Sequence, residues 1–320
     1  MKIKVITGRS AKRIANDSRI SSGDIFTYDL ACRDYDWLVV FDEMPFPEVL
    51  ACPRERTILM TWEPVSIKSY SRHYTRQFGH LLTNRPPEAE RHPHYHLGRG
   101  YFPWFVGKSP RELEREHPEK SRMVSVACSS KQMRHTLHYA RFRLVEKIVK
   151  DIPGTDWFGR GVRPFERKYE ILDPYRYHVV VENHIAPNHW TEKIADALLC
   201  ECLPFYAGDP DLGKILPSES FIPIPINDPA EAVRIIRSAI ASDEFSRRLD
   251  AVREAKRLLL TKYNFVAQIL EVIRAEADAS LTAVDPVHPV VIRPRTNLRW
   301  HSLGAALEDL WLHCCRGFRF

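Results

Sequence analysis

Residues 177–212 read YHVVVENHIAPNHWTEKIADALLCECLPFYAGDPDL, and their pattern decides the fold. Tyr177–Val181 is a short apolar run rich in β-branched residues, as expected of a strand buried on both faces. A polar loop follows from Glu182 to His189 and contains Pro187. Thr191-Glu192-Lys193 then opens a run in which Ile194, Ala197 and Leu198 fall at helical spacing. Leu203–Ala207 is a second apolar run, closed by the turn formers Gly208, Asp209 and Pro210. Strand, loop, helix and strand make a βαβ unit, which puts the Glu182–His189 loop at the carboxyl edge of a parallel sheet. Ligands of doubly wound sheets collect at that edge.

The chemistry of the loop suits an anion. A helix amino-terminus offers unpaired backbone N–H groups and a partial positive charge, so it attracts phosphate. Lys193 in the first turn adds a full charge, and Glu192 is placed to accept bonds from sugar hydroxyls. The plainer reading is a glutamate that favours a helix start beside a solvated surface lysine.

The block resembles the signature of family 10 glycosyltransferases, the α-1,3/1,4-fucosyltransferases, which runs F-E-N-S/T and, after a short spacer, Y-x-T-E-K. Glu182-Asn183 and Thr191-Glu192-Lys193 stand in that pattern with no insertion or deletion between them. The likeness extends to Asp196-Ala197, to Pro204, Tyr206 and Gly208, and to Ser220-Phe221-Ile222. Two positions depart from it. His189 replaces the family's tyrosine, and Val181 replaces the aromatic ahead of E-N. Histidine still stacks and hydrogen-bonds, but it titrates near neutral pH where tyrosine does not.

Outward from this block, Lys2–Thr7, Trp37–Phe41, Thr57–Thr61, Phe78–Thr83, Met123–Cys128 and Phe221–Ile224 read as further strands. Helices are expected at Ala11–Ile20, around Arg141–Ile148, and over 229–241 and 243–260. Residues 107–122, GKSPRELEREHPEKSR, are highly charged and carry two prolines, as a linker would. The expected fold is therefore α/β, with two Rossmann-like domains facing a cleft: residues 1–118, residues 119–285, and a basic amphipathic tail at 286–320. The resemblance implies the GT-B arrangement, with the acceptor on the first domain and the nucleotide sugar on the second.

Glu63 follows the Thr57–Thr61 strand and precedes Pro64, so it belongs on a constrained loop at the sheet's carboxyl edge. Beside Trp62 its pKa can rise towards the range of a general base, although an ordinary loop carboxylate is the competing reading. The family carries a similar strand-then-E-S/P-P element, and the resemblance implies that Glu63 is the catalytic base. It likewise implies that Arg141 reaches the donor phosphates, that Lys193 does the same, and that Asn183, His189 and Glu192 bind the donor. The implied donor is GDP-fucose, the acceptor a glycan or glycolipid, and no cofactor or metal is required. Transfer of another activated sugar, or a non-catalytic glycan- or nucleotide-binding protein, are the alternatives.

Other features are weaker signals. His92, His94 and His96 alternate and would share one face of an extended segment, but no carboxylate or cysteine is spaced nearby to complete a metal site. The stretch therefore reads as a histidine-rich loop. Asp209-Pro210-Asp211 looks like a D-x-D metal motif, yet a proline-containing turn is the expectation. Tyr101, Phe102, Trp104 and Phe105 are core aromatics or a sugar-stacking wall.

Composition bounds these readings. The chain has 320 residues, 44% hydrophobic and 28% charged, which suits a globular protein of two domains. No apolar run approaches the ~20 residues that span a bilayer. MKIKVITGRSAKRIAND reads as a first strand and not as a signal peptide, so a cytoplasmic location and reduced cysteines are expected. The net charge of +6 suits an anionic partner, although no nucleic-acid motif is present. In the tail, Leu303, Leu307, Leu310 and Trp311 form an apolar face flanked by Arg299, Arg316 and Arg319. It either packs on the body of the protein, the favoured reading, or makes peripheral contact with the inner face of a membrane.

Overall fold

The computed structural model describes residues 1–7, 24–61, 63–65, 67–130, 137–276, 289–298 and 300–317. The chain divides into two compact units, Met1–Arg99 with Phe265–Phe320, and Gly100–Asn264. The helix expected at Ala11–Ile20 lies outside the described residues.

The first unit is built on a six-stranded parallel sheet. Its strands are β1 (Lys2–Thr7), β2 (Ile25–Thr27), β3 (Trp37–Phe41), β5 (Thr57–Met60), β6 (His80–Thr83) and β7 (Tyr95–Leu97), in the order β2-β1-β3-β5-β6-β7. The strand sequences WLVVF and TILM are buried at every position, so both sheet faces are covered, as a parallel sheet requires. Part of that cover is α7 (Phe265–Ala275), in which Phe265, Val266, Ile269 and Leu270 are buried. Phe265 meets Phe41 edge to face at 5.6 Å. Farther along, β13 (Val291–Ile292) pairs antiparallel with β4 (Glu48–Val49), and Ile292 enters the core beside Leu38, Leu59 and Phe78.

The second unit holds a five-stranded parallel sheet in the order β12-β11-β10-β8-β9. Its strands are β8 (Arg122–Ala127), β9 (Thr155–Phe158), β10 (Tyr175–Val181), β11 (Leu203–Ala207) and β12 (Ile222–Pro223). The chain steps from β8 outward to β9 and then crosses back to β10 on the other side of β8. That reversal opens a crevice between the carboxyl ends of β8 and β10. The long helices of this unit are α3 (His138–Asp151), α5 (Pro229–Ala241) and α6 (Glu244–Thr261), alongside the shorter α4 (Glu192–Leu199).

The partition differs from one at 118/119 and 285/286. Residues 107–122 are not a linker: Pro110–Arg115 is helix α2, opened by Ser109 and Glu112 in a reciprocal capping box. Leu113 joins the core with Trp104 and Val106, and Lys256 Nζ donates to the Glu116 carbonyl at 2.8 Å. Tyr101, Phe102 and Trp104 are buried, which agrees with the packing role. The second boundary moves because the buried face of α7 and the β4–β13 pair both belong to the first unit.

The tail forms α8 (Arg295–Leu298) and α9 (Leu303–Gly317), and the favoured reading of its apolar face is overturned. Leu303, Leu307, Leu310 and Trp311 are exposed, Leu303 by 79%. The helix is held by its opposite side, where Ala305 is buried and Glu308 caps another helix. The Glu308 carboxylate accepts the backbone N–H groups of Arg72 (2.8 Å) and His73 (3.1 Å) at the start of α1 (Arg72–Thr75), and pairs with His73 Nδ1 at 2.6 Å. Arg299, Arg316 and Arg319 lie outside the described side chains.

Candidate active site

The register of β10 with β11 sets Val181 opposite Ala207, so Glu182 is the first residue past the strand. It is fully buried, and its carboxylate gathers the start of α4. Thr191 donates to it through N (3.0 Å) and Oγ1 (2.8 Å), and Lys193 Nζ reaches it at 3.0 Å. Thr191 is also the N-cap of α4, accepting from Lys193 N. Lys193 Nζ lies 2.9 Å from Thr191 Oγ1 and 3.5 Å from Glu192 Oε1. A buried anion thus fixes a lysine and a helix amino-terminus at the sheet's carboxyl edge. Burial disfavours the charges of Glu192 and Lys193. The ammonium groups of Lys193 and Lys168 nevertheless hold Glu192 below the usual carboxylate range, and Glu182 with Glu192 holds Lys193 above the usual amine range.

Arg141 spans the crevice. It projects from the first turns of α3, the helix after β8, and is buried. Its Nη1 donates to Asn183 Oδ1, just past β10, and its Nη2 faces Cys128 Sγ at 3.7 Å, just past β8. The Nε donor of Arg141 is buried without a partner among the described residues. His189 is buried between the rings of His184 (5.1 Å) and Phe102 (6.1 Å), both edge to face. Asp209 is a turn former, as expected: its Oδ1 accepts from Asp211 N at 2.8 Å.

Two residues beneath the loop were missed as functional candidates in the sequence. Lys168 Nζ bonds Asp196 Oδ2 at 2.7 Å on the buried side of α4, and Asp196 Oδ1 accepts Phe105 N at 3.0 Å. Burial pushes the Asp196 carboxyl up to about 6 against the pull of Lys168. An aspartate on the apolar stripe of a helix was the available signal, since such a charge needs a partner.

Glu63 lies in the first unit, three residues past β5, and is half-buried. Its carbonyl accepts Nε (2.9 Å) and Nη2 (2.6 Å) of buried Arg85, which also pairs with Glu90 at 2.5 Å. Main-chain placement at the carboxyl edge is therefore rigidly specified. Trp62 lies outside the described residues.

Also in the first unit, the histidine-rich stretch is not merely a polar loop. His94 and His96 meet His80 from β6 and Glu276, the residue after α7. His92 turns away, with Nε2 on the Phe78 carbonyl. Glu276 is 180 residues or more from these histidines in sequence, so local spacing cannot reveal its proximity.

The family model described as "Glycosyltransferase family 10 (fucosyltransferase) C-term" matches residues 117–243, a span that includes Arg141, Glu182 and Lys193. This is a glycosyltransferase family 10 domain. Around that domain, the chain has the two-sheet GT-B fold of glycosyltransferases and is an enzyme of that class. An α1,3-fucosyltransferase solved with GDP-fucose superposes with a TM-score of 0.54 at 16% identity, over 89% of this chain and 92% of that one. A second α1,3-fucosyltransferase structure gives 0.52 at 15% identity, over 86% and 89%. One with GDP gives 0.50 at 15%, over 83% and 92%. No curated protein matches the chain. No described helix is long and apolar enough to cross a membrane. The described cysteines Cys32, Cys52, Cys128, Cys200 and Cys202 are free thiols.

Proposed function

We propose that this glycosyltransferase moves fucose from GDP-fucose to a hydroxyl of a glycan or glycolipid acceptor, with inversion. The observation that carries the donor assignment is the Arg141–Asn183 bridge across the β8/β10 crevice, beside Lys193 at the start of α4. Two cationic side chains and a helix amino-terminus converge where a doubly wound sheet binds nucleotides. The unpartnered Nε of Arg141 supports an anionic ligand there, because a buried guanidinium donor is costly to leave unpaired.

In the proposed step the acceptor oxygen attacks the anomeric carbon as the bond to the GDP oxygen breaks. Glu63 takes the proton of the acceptor hydroxyl. Lys193, Arg141 and the α4 amino-terminus stabilise the charge arriving on the diphosphate. Glu192 and Asn183 hold the ribose and nearby groups, and His189 lines the loop. Glu182 positions Lys193 and does not touch the reacting atoms. The exposed apolar face of α9 rests on an anionic membrane surface in this reading, which suits a glycolipid acceptor.

The test is selective binding followed by transfer. GDP or GDP-fucose at 100 times its dissociation constant should raise stability by about 2.7 kcal/mol. UDP should do far less. Equal responses would overturn the donor assignment, and binding without transfer across a broad acceptor panel would favour a binding protein.

A further inference from the structure

We propose that His80, His94, His96 and Glu276 form a binding site for a divalent transition-metal ion of the zinc class, located in the first unit. Glu276 Oε1 lies 4.0 Å from both His80 Nδ1 and His96 Nε2, and those two ring nitrogens are 3.2 Å apart. Ligand atoms of His80, His94 and Glu276 all lie within 4.8 Å of one another. A tetrahedral ion with bonds of 2.0–2.2 Å separates its ligand atoms by about 3.3 Å. The 4.0 Å spacings are too long for hydrogen bonds but need only a small inward shift to become edges of such a tetrahedron.

The surroundings of His80 fit the same role. Its Nε2 lies 2.8 Å from the Glu55 carbonyl and donates to it, which leaves the Nδ1 lone pair aimed at His96 and Glu276. Metal-bound histidines are oriented in this manner, one nitrogen on the metal and the other N–H on a backbone acceptor. His80 is buried in β6 and cannot swing out, whereas Glu276 and His96 are partly exposed and His94 is exposed. The site is therefore pre-formed on one side and reachable from solvent on the other. Three imidazoles and one carboxylate suit zinc, cobalt, nickel or copper and not magnesium or calcium, which prefer oxygen ligands.

The ligands come from β6, from the entrance and body of β7, and from the end of α7. An ion here would tie the edge of the first sheet to the segment that returns to it after the second unit. Its role is a staple in the fold, separate from the proposed donor site.

The experiment uses untagged full-length protein, freed of metal by a chelator and dialysed. Zn2+ should bind at one equivalent and raise the melting temperature, and Mg2+ should do neither. Co2+ should give the visible absorption bands of a tetrahedral complex. His96→Gln and Glu276→Gln, both on partly exposed positions, should each weaken Zn2+ binding by at least ~100-fold, because a direct ligand matters more than an outer-shell partner. His301→Gln, an exposed histidine elsewhere, should bind as wild type does. Stabilisation by GDP should be unchanged in all three variants, which separates this proposal from the donor assignment. No stoichiometric Zn2+, or unchanged affinity in both ligand variants, would overturn the site.

Discussion

Lys193 is in place before any ligand arrives, because Glu182 and Thr191 already hold its ammonium group. Removing it takes away a charge-assisted bond worth roughly 1.5–3 kcal/mol. Lys193→Ala should therefore weaken GDP binding by about 10- to 100-fold, measured by calorimetry, while leaving the fold intact. Unchanged affinity would remove Lys193 from the phosphate site. Glu63→Gln tests the other unit, keeping size and most hydrogen bonding while removing basicity. Turnover should fall roughly 10²–10⁴-fold with GDP affinity unaltered. Near-normal transfer would leave the base unidentified. At this scale the sequence was partly legible. Lys193, Arg141 and Asn183 stood in recognisable places, but the Arg141–Asn183 contact joins residues that only the crossover from β8 to β10 brings together. Glu182 read as one letter of a motif, and only its burial shows it to be the anchor of the loop.

Among the elements, β10 carries a group that should make the protein acid-sensitive. His178 is buried in mid-strand with Nδ1 on Ser125 Oγ at 2.7 Å. Burial, aided by Lys168, lowers its pKa to about 3. The unfolded chain takes up a proton near pH 6.5 that the folded chain refuses. Stability from this group is complete above about pH 6.5 and is lost as the pH falls towards 3, by on the order of 5 kcal/mol. In His178→Asn, urea midpoints should fall less steeply across that window than in wild type. Equal slopes would count against the assignment.

Helix α9 gives a second element-scale outcome. Anionic vesicles should retain the protein, salt should release it, and Leu307→Ser with Trp311→Ser should abolish retention without unfolding, since both side chains are exposed. Retention by the double variant would place the contact elsewhere. Strands were the easiest elements to read, because parallel strands buried on both faces are unbroken apolar runs. Helix α2 was misread because its single buried residue, Leu113, leaves no periodic stripe, and Pro110 at its first turn looks like a breaker.

For the molecule as a whole, the unequal independence of the two units matters most. The larger hydrophobic core runs from Trp104 to Tyr263, and among the described residues it draws on nothing outside Gly100–Asn264. The other unit needs α7 and Ile292 from the chain's last third. A fragment of residues 100–264 should therefore fold alone, with a cooperative urea transition and dispersed amide resonances, whereas residues 1–99 should not. A folded 1–99 fragment would show that the returning segment is dispensable. Two α/β units were legible from the number and spacing of strands, but the return of the chain was not. An amphipathic helix such as α7 advertises that it packs on something, and nothing in its own residues says which sheet.

The β4–β13 pair also sets an order of events at the ribosome. Chains emerge at about 5–20 residues per second, so residues 100–264 take roughly 8–33 s to synthesise. Throughout that interval the first strands are out of the exit tunnel, yet the helix and strand that cover them have not been translated. The later-made unit should be the first to reach its native state. The earlier-made apolar strands spend the intervening seconds as clients for holding chaperones.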